Sequence, residues 1–324
     1  MLSRRHIRIK VMQLLYAKSR DLELSLNDLL RRYQSYGTRT LELYLFNLQQ
    51  LIETARYSER DEMNRRAKYT PTENDKLFTT KLFRNEVLQG FLAHGSYDRA
   101  VKKFNMTGRP DSDTIAIFYR KFLETDTYKA YLANPDTTLE DDHHVLLELY
   151  KFLYKSEMFD EAMEDFSASW IDDDSLVIGT TKKTIKAMPS DVEFIRDFTE
   201  EDKLTFTFGE QLLIKTYNND TEILEIIKPM LKNWDAERVA AVDMISLKMA
   251  TAELLYFPTI PTKVTINEYV DVSKMYSTDK SKEFVNGILD RLMKQLKDEG
   301  LIRKEGWGLI EWLLLIDFYL FIKY

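Results

Sequence analysis

Hydrophobic residues recur at helical spacing along most of this chain. Near the N-terminus, Ile7, Val11, Leu14 and Leu15 fall at i, i+4, i+7 and i+8, which places them on one face of a helix over residues 3–20. The same periodicity predicts a series of further helices separated by polar joints. They lie near residues 25–34, 38–57, 76–93, 96–104, 112–132, 138–155 and 158–168.

The helical pattern is clearest after residue 200. Pro258 and Pro261 are expected to end one helix, and Gly300 another, since both residue types interrupt or terminate helices. Thr265-x-x-Glu268 has the spacing of a capping box. The predicted helices lie near 202–217 and 220–233, from Asp235 as a cap to about Phe257, from Thr265 to about Met275, and from Asp279 or Ser281 to Lys297.

Two polar stretches suggest how the chain divides. Residues 58–75 contain Pro71 and are predicted to be a loop, and residues 172–192, which begin with three aspartates, are predicted to be a connector. Within that connector residues 177–181 are compatible with a short strand, although a helix is favoured. We therefore expect an all-α helical bundle with an additional helical insertion. Its predicted divisions are N-terminal helices over 1–57, an insertion and acidic connector over 58–200, a helical core over 201–308 and an apolar tail over 309–324.

Composition narrows the range of chemistry. Only 10 Gly and 7 Pro occur in 324 residues, which favours long helices. The absence of Cys excludes disulfides, thiolate metal sites and Cys nucleophiles, and it is compatible with a reducing cytoplasm. No Gly-rich phosphate loop, dinucleotide fingerprint or nucleophile elbow is present. We therefore expect no enzymatic activity and no cofactor.

One cluster of potential metal ligands occurs, at Asp141-Asp142-His143-His144. Adjacent residues of a helix point to different sides, so this run is not expected to bind a metal.

Charge is distributed unevenly. The net charge is −7, but residues 1–20 carry Arg4, Arg5, Arg8, Lys10, Lys18 and Arg20 without an acidic residue. Residues 133–175 are strongly acidic, with Lys151 and Lys155 as their basic residues. A basic end on an acidic body attracts phosphates locally and repels them elsewhere.

The last residues, from Leu309 to Tyr324, form two apolar runs around Asp317. A membrane-spanning helix needs about 20 apolar residues, so no membrane association is expected. Deleting residues 312–324 is expected to leave the fold intact and to improve solubility, because exposed apolar patches promote association.

Two ordered sets of residues resemble the NusB family of transcription antitermination factors. The N-terminal set is Arg4-Arg5-x-x-Arg8-x-x-x-x-Gln13-x-Leu15-Tyr16, although the family usually has Ala where this chain has Ile7 and Val11. The resemblance covers residues 1–20 and 203–305. The C-terminal set comprises Asn233-Trp234, Glu237-Arg238, Asp243, Lys248, Ala250, Glu253-Leu254, Ile260-Pro261, Val264, Asn267-Glu268, Lys274, Ser281, Phe284-Val285-Asn286-Gly287 and Leu289-Asp290.

The resemblance implies a cytoplasmic RNA-binding factor. Its expected partners are the single-stranded boxA-type leader of ribosomal RNA, the ribosomal protein NusE and the RNA polymerase elongation complex. Two groups of residues are expected to contact RNA: Arg4, Arg5, His6 and Arg8 at the first helix, and Lys280, Ser281, Lys282 and Phe284 at the last. Arginine pairs bidentately with phosphate oxygens, and an aromatic ring can stack on an unpaired base.

The resemblance also places Tyr16 and Asp243 near the surface that binds NusE. Asp243, Ser246, Ala250 and Glu253 form one polar stripe on an otherwise apolar helix, which is expected either to reach water or to meet a partner.

Alternative interpretations exist for most of these residues. The alternative for the basic first helix is an ordinary solvated helix end, and the alternative for Phe284 is a core residue beside Val285 and Leu289. Gly287 inside a helix favours a close approach of two helices. For the whole chain, the alternative to RNA binding is a helical protein–protein scaffold. A ribosomal RNA methyltransferase with a NusB-like domain is rejected, because it requires a catalytic Cys and a Gly-rich cofactor loop.

Overall fold

The computed structural model describes residues 3–70, 72, 79–195, 200–231, 239–278 and 280–309. Every regular element among them is a helix, as the periodicity predicted. The α-helices, numbered in chain order, are α1 (Arg4–Arg20), α2 (Leu26–Arg66), α3 (Glu86–Ala93), α4 (Gly95–Lys103), α5 (Ser112–Leu123), α6 (Asp126–Ala133), α7 (Leu139–Tyr154), α8 (Glu157–Phe166), α9 (Trp170–Ala187), α10 (Glu200–Asn218), α11 (Asp220–Ile227), α12 (Ala241–Tyr256), α13 (Thr262–Tyr276) and α14 (Ser281–Asp298). Short 3₁₀ turns cover Lys228–Leu231 and Gly306–Leu309.

The chain forms two compact units. The inserted unit is Gly37–Thr199, and the terminal unit combines the residues up to Tyr36 with those from Glu200 onward. The expected division after residue 57 therefore falls inside α2, which runs unbroken through Gly37. Although Gly in a helix costs about 1 kcal/mol relative to Ala, α2 buries an apolar face on both sides of Gly37, including Tyr33 and Leu43.

The inserted unit has its own apolar core, in which α2 and α7 supply many of the large side chains. Several polar groups inside this core are paired with one another. Asn47 Nδ2 donates hydrogen bonds to Tyr150 Oη at 3.0 Å and to Thr181 Oγ1 at 2.7 Å. The Tyr44 and Thr184 hydroxyls lie 2.7 Å apart. Because an unpaired buried polar group is costly, these contacts fix how α2, α7 and α9 pack together.

The predicted connector is helix α9. Asp172 and Asp173 lie in its first turn, where negative charge interacts favourably with the helix dipole. The acidic run therefore helps to begin a helix instead of preventing one. The preference for helix over strand at residues 177–181 is confirmed.

The cluster at residues 141–144 has structural contacts. Asp142 is buried and accepts hydrogen bonds from the Glu86 backbone N–H and the Tyr131 hydroxyl, each at 2.7 Å. His143 Nε2 donates to the Met188 carbonyl at 2.6 Å. These contacts attach α7 to the start of α3 and the end of α9.

The terminal unit packs α1 against α10 and α12, and it packs α13 and α14 against α12. Helix α12 is buried on nearly all sides. Its end at Tyr256, before Pro258, agrees with the predicted stop, and Gly300 adopts a positive φ of 68° just beyond α14. Helix α13 begins three residues before the expected capping box, so Thr265 is interior and its hydroxyl donates to Glu253 instead of capping the helix.

The segment after α14 returns to the joint between α12 and α13. The Glu305 backbone N–H donates to the Pro258 carbonyl at 3.0 Å, and Lys304 Nζ donates to the Phe257 carbonyl at 2.9 Å. Burial lowers the pKa of Lys304 to about 8, although Glu253 acts in the opposite direction. Asp235 and most of the apolar tail, residues 310–324, lie outside the described residues.

Within the described residues no helix is long and apolar enough to cross a lipid bilayer.

Candidate nucleic-acid interface

The start of α1 orders the first group of predicted RNA-binding residues. Ser3 caps the helix by accepting a hydrogen bond from the His6 backbone N–H at 3.3 Å, and its hydroxyl lies 2.5 Å from His6 Nδ1. Such a cap satisfies one of the free donors at a helix N-terminus. Because the cap also involves the His6 ring, His6 is partly engaged within the protein and does not project freely as a stacking platform.

Arg8 is in the interior of the terminal unit. Its side chain is only 3% exposed and makes a bidentate pair with Glu253, with Nε and Nη2 lying 2.8 and 2.7 Å from the two carboxylate oxygens. The guanidinium also lies over the rings of Phe208 and Tyr269, 5.1 and 5.9 Å from their centroids. A phosphate cannot reach this group, so the prediction that Arg8 contacts RNA is not supported, and Arg8 is instead a core residue.

Glu253 is the centre of this buried network. It is fully buried and also accepts hydrogen bonds from the Thr265 hydroxyl at 2.8 Å and the Tyr269 hydroxyl at 3.1 Å. Burial by itself raises the pKa of Glu253, but Arg8 and these hydroxyls outweigh burial and lower it. Conversely, burial and the nearby Glu253 charge raise the pKa of Tyr269 well above 10. The network therefore holds an ionised pair with satisfied hydrogen bonds, which joins α1 to α12 and α13.

Arg5 lies at the edge of the same network. Its Nε and Nη2 are 3.1 and 3.0 Å from the Glu268 carboxylate oxygens, and Nη2 is 2.8 Å from Asp271. These bonds raise the pKa of Arg5, with the Glu268 hydrogen bond as the largest cause and burial opposing it. The side chain is 43% exposed, so a phosphate can approach Arg5 but must compete with two carboxylates.

Arg4 is exposed, and its guanidinium lies 5.5 Å from the centroid of the Phe208 ring. An anion can therefore approach Arg4 from solvent. Arg8 lies one turn further along α1, between the fully buried Ile7 and Val11.

The second predicted group lies together at the start of α14. Lys280 and Lys282 are exposed, whereas Ser281 is buried and its hydroxyl lies 2.8 Å from Ser277 Oγ and 2.9 Å from Thr278 Oγ1. Phe284 is half-buried against the core of the terminal unit. Ser281 therefore organises the turn before α14, and the two lysines present positive charge where a helix N-terminus already attracts anions.

The two residues expected at the NusE surface differ in exposure. Tyr16 is 37% exposed, and the Arg20 guanidinium lies 5.0 Å from the centroid of its ring. Asp243 is only 4% exposed, and the polar stripe that includes Ser246 and Glu253 is buried with it. Of the two expected alternatives, reaching water does not hold, and at Glu253 the stripe meets Arg8 of the same chain. Asp243 is consequently not available on the surface.

Glu253 and Glu268 were missed as structural partners of the arginines. A signal for Glu253 was present, since a carboxylate on an almost wholly apolar helix requires a buried cation.

These features define the terminal unit as an all-α bundle that is completed by the N-terminal helix of the chain, with basic side chains at the starts of its first and last helices. The profile of the NusB family matches residues 180–294. The chain is 42% identical over 111 residues to the transcription antitermination protein NusB of Salinibacter ruber, an alignment that covers 34% of this chain and 69% of that protein. The chain therefore belongs to the NusB family.

Two further relatives carry the same description. The NusB protein of Chloroherpeton thalassium is 46% identical over 79 residues, covering 24% of this chain and 37% of that protein. The NusB protein of Natranaerobius thermophilus is 40% identical over 91 residues, covering 28% of this chain and 66% of that protein. No solved structure matches the chain. The matched profile begins at residue 180, so most of the inserted unit, Gly37–Thr199, lies outside it.

Proposed function

We propose that this protein is a transcription antitermination factor that binds the single-stranded boxA-type leader of nascent ribosomal RNA together with NusE, within the RNA polymerase elongation complex. The observation that carries the proposal is the relationship to antitermination proteins over the terminal unit. The protein acts as a cytoplasmic RNA-binding adaptor, without catalysing a reaction.

The exposed basic side chains support RNA contact. Arg4 on α1, together with Lys280 and Lys282 at the start of α14, supplies the positive charge, and the half-exposed Arg5 adds a guanidinium. Contacts of this kind provide affinity and salt dependence but little reading of the base sequence. Phe284, half-buried in the first turn of α14, is the aromatic group at this helix start that can meet a base.

The exposed face of Tyr16 is the proposed NusE contact. The Arg20 guanidinium lies over its ring, so the pair presents an aromatic group with an adjacent positive charge. Asp243 is not included because it is buried.

The test is the binding of a short boxA-type RNA at two salt concentrations, with and without NusE. Replacement of both lysines, Lys280→Ala/Lys282→Ala, should weaken binding and make the slope of log K against log salt shallower by about 1.4, because each lost phosphate contact on a single strand contributes about 0.7. The matched control, Lys294→Ala/Lys297→Ala, removes two exposed lysines from the far end of the same helix and should leave the slope unchanged.

The NusE contact has a separate readout. Tyr16→Ala should reduce RNA affinity when NusE is present and leave it unchanged when NusE is absent. If Lys280→Ala/Lys282→Ala and Lys294→Ala/Lys297→Ala give equal slopes of log K against log salt, the proposed RNA surface is wrong. A wild-type protein that binds no RNA in either condition would instead favour the helical scaffold.

A further inference from the structure

The inserted unit contains a cavity of about 400 Å³ between two helix joints. One joint links α5 to α6 at Thr125, and the other links α7 to α8 at Ser156. Lys121, Lys151 and Lys155 line the cavity, and Glu148 is the single carboxylate among the described residues that line it. The lysines thus face one concave site although residues 133–175 are strongly acidic.

Among the residues that the structure describes, the positive charge of the cavity is only partly compensated. Lys151 Nζ lies 2.9 and 3.0 Å from the two oxygens of Glu148, which accounts for one cation. Lys121 and Lys155 are exposed at the C-terminal ends of α5 and α7 and also line the cavity. Two lysine side chains that line one cavity favour an anionic ligand.

Hydroxyl groups surround the same space. Thr125, Thr127 and Ser156 line the cavity. Ser156 precedes α8 without making a side-chain cap, so its hydroxyl does not occupy the N–H groups of that helix start. The Thr125 hydroxyl donates to the Phe122 carbonyl and caps α6, so the hydroxyls of Thr127 and Ser156 join the lysines as the donor set that binds phosphate oxygens in proteins. The start of α8 adds to these donors, but the hydroxyls and lysines define the site.

The base of the cavity is aromatic. Phe122 and Phe152 line it, with ring centroids 5.8 Å apart, and Phe152 is half-buried so that part of its ring faces the cavity. Lysines beside an accessible aromatic ring are the combination that binds nucleotides, because the ring stacks with a base while the cations meet its phosphate.

We propose that this cavity binds a nucleoside 5′-phosphate unit, with Lys121 and Lys155 meeting the phosphate and Phe152 meeting the base. Two sources share this chemistry, namely a free mononucleotide and one residue of a single-stranded RNA. The site belongs to the inserted unit and does not depend on the proposed RNA surface of the terminal unit.

The test uses the full chain at low salt, with AMP and adenosine as probes. Wild-type protein should bind AMP more tightly than adenosine, because adenosine lacks the phosphate. Lys121→Gln/Lys155→Gln should lower the affinity for AMP by about tenfold or more, as expected for the loss of charge-assisted hydrogen bonds. The matched control, Lys183→Gln/Lys186→Gln, removes two exposed lysines of α9 and should bind AMP as wild type does.

A second variant addresses the aromatic contact. Phe152→Leu should weaken the binding of both AMP and adenosine, and its thermal unfolding should show that the unit remains folded. A tetranucleotide RNA then identifies the source. Displacement of AMP by the RNA assigns the site to an RNA residue, and absence of displacement assigns it to free nucleotides.

The proposal is overturned if wild-type protein does not bind AMP, or if both lysine pairs reduce AMP binding equally. Both outcomes are distinguishable from failure of the proposed function, which is measured by boxA-type RNA and by variants of α14.

Discussion

At the scale of single residues, Arg8 has the largest structural consequence among the predicted RNA-binding residues. Arg8→Ala leaves the Glu253 carboxylate buried without its cation, and such a loss costs about 3–5 kcal/mol. We expect a decrease of that size in the free energy of unfolding, measured by urea denaturation. Arg5→Ala is the control. Since Arg5 is 43% exposed, its removal should change stability by about 1 kcal/mol or less.

The double variant Arg8→Leu/Glu253→Leu should be more stable than Arg8→Leu alone, because it removes the unpaired charge together with its partner. Similar losses for Arg5→Ala and Arg8→Ala would contradict the assignment of Arg8 to the core.

The ion pair between Arg8 and Glu253 predicts that the stability of the protein depends on pH in the acid range. The pKa of Glu253 is lower in the folded protein than its ordinary value of 4.5. A carboxyl of this kind contributes stability above its unfolded pKa, and that contribution is lost as the pH falls through the lower, folded pKa. The free energy of unfolding of the wild type should therefore decrease more steeply below pH 4.5 than that of Glu253→Gln, in urea titrations at successive pH values. Parallel curves would show that Glu253 does not titrate as an ion pair.

The basic character of α1 was predictable from sequence, but the roles of its individual arginines were not fully so. The spacing of Ile7 and Val11 gives the buried face, and Arg8 lies next to it. What one sequence could not supply was the partner, since Glu253 is 245 residues away and is identified only when α1 and α12 pack together.

At the scale of helices, two glycines differ in how closely atoms of neighbouring helices approach them. A Cβ at Gly209 of α10 would overlap Ile7 of α1 and the hydroxyl of Tyr33 on α2. Gly209→Ala should destabilise the protein by about 1–3 kcal/mol, the usual cost of overpacking. Gly287 of α14 was expected to mark a close helix approach, but no described heavy atom lies within 4 Å of its Cβ position. Gly287→Ala should therefore be neutral or stabilise by up to about 1 kcal/mol.

Chemical denaturation of the two alanine variants measures both effects. Destabilisation by Gly287→Ala as large as that by Gly209→Ala would show that helix α14 is more closely packed than its surroundings indicate. In that case the original interpretation of Gly287 would be restored.

Helix positions near the C-terminus were the most predictable part of the fold. Prolines and glycines mark the ends of α12 and α14, and local signals of this kind do not depend on tertiary contacts. Helices α2 and α9 were less predictable. Gly37 and the aspartates at 172–174 look like helix ends in the sequence. Burial of an apolar face favours helix at Gly37, and the helix dipole favours it at the aspartates. The lysine cavity was not predicted, because its lysines come from α5 and α7 and converge only in the folded unit.

At the scale of the whole molecule, the two units have separate apolar cores. The core of the inserted unit is drawn from Leu43 to Ile195, and that of the terminal unit from Ile7 to Tyr36 and from Phe208 to Leu296. Since a unit with its own core can in principle fold alone, a fragment of residues 37–199 should be helical by circular dichroism and should unfold in one cooperative thermal transition.

The control fragment comprises residues 67–199. It lacks the part of α2 that supplies Leu43, Leu48, Leu51 and Ile52, all fully buried, and the Asn47 amide that pairs with Tyr150 and Thr181. This loss removes one wall of the core and leaves buried hydroxyls without a partner, so the shorter fragment should show no cooperative transition. If residues 37–199 also unfold without cooperativity, the inserted unit depends on the terminal unit for its stability. If both fragments fold, α2 is peripheral to the core of the inserted unit.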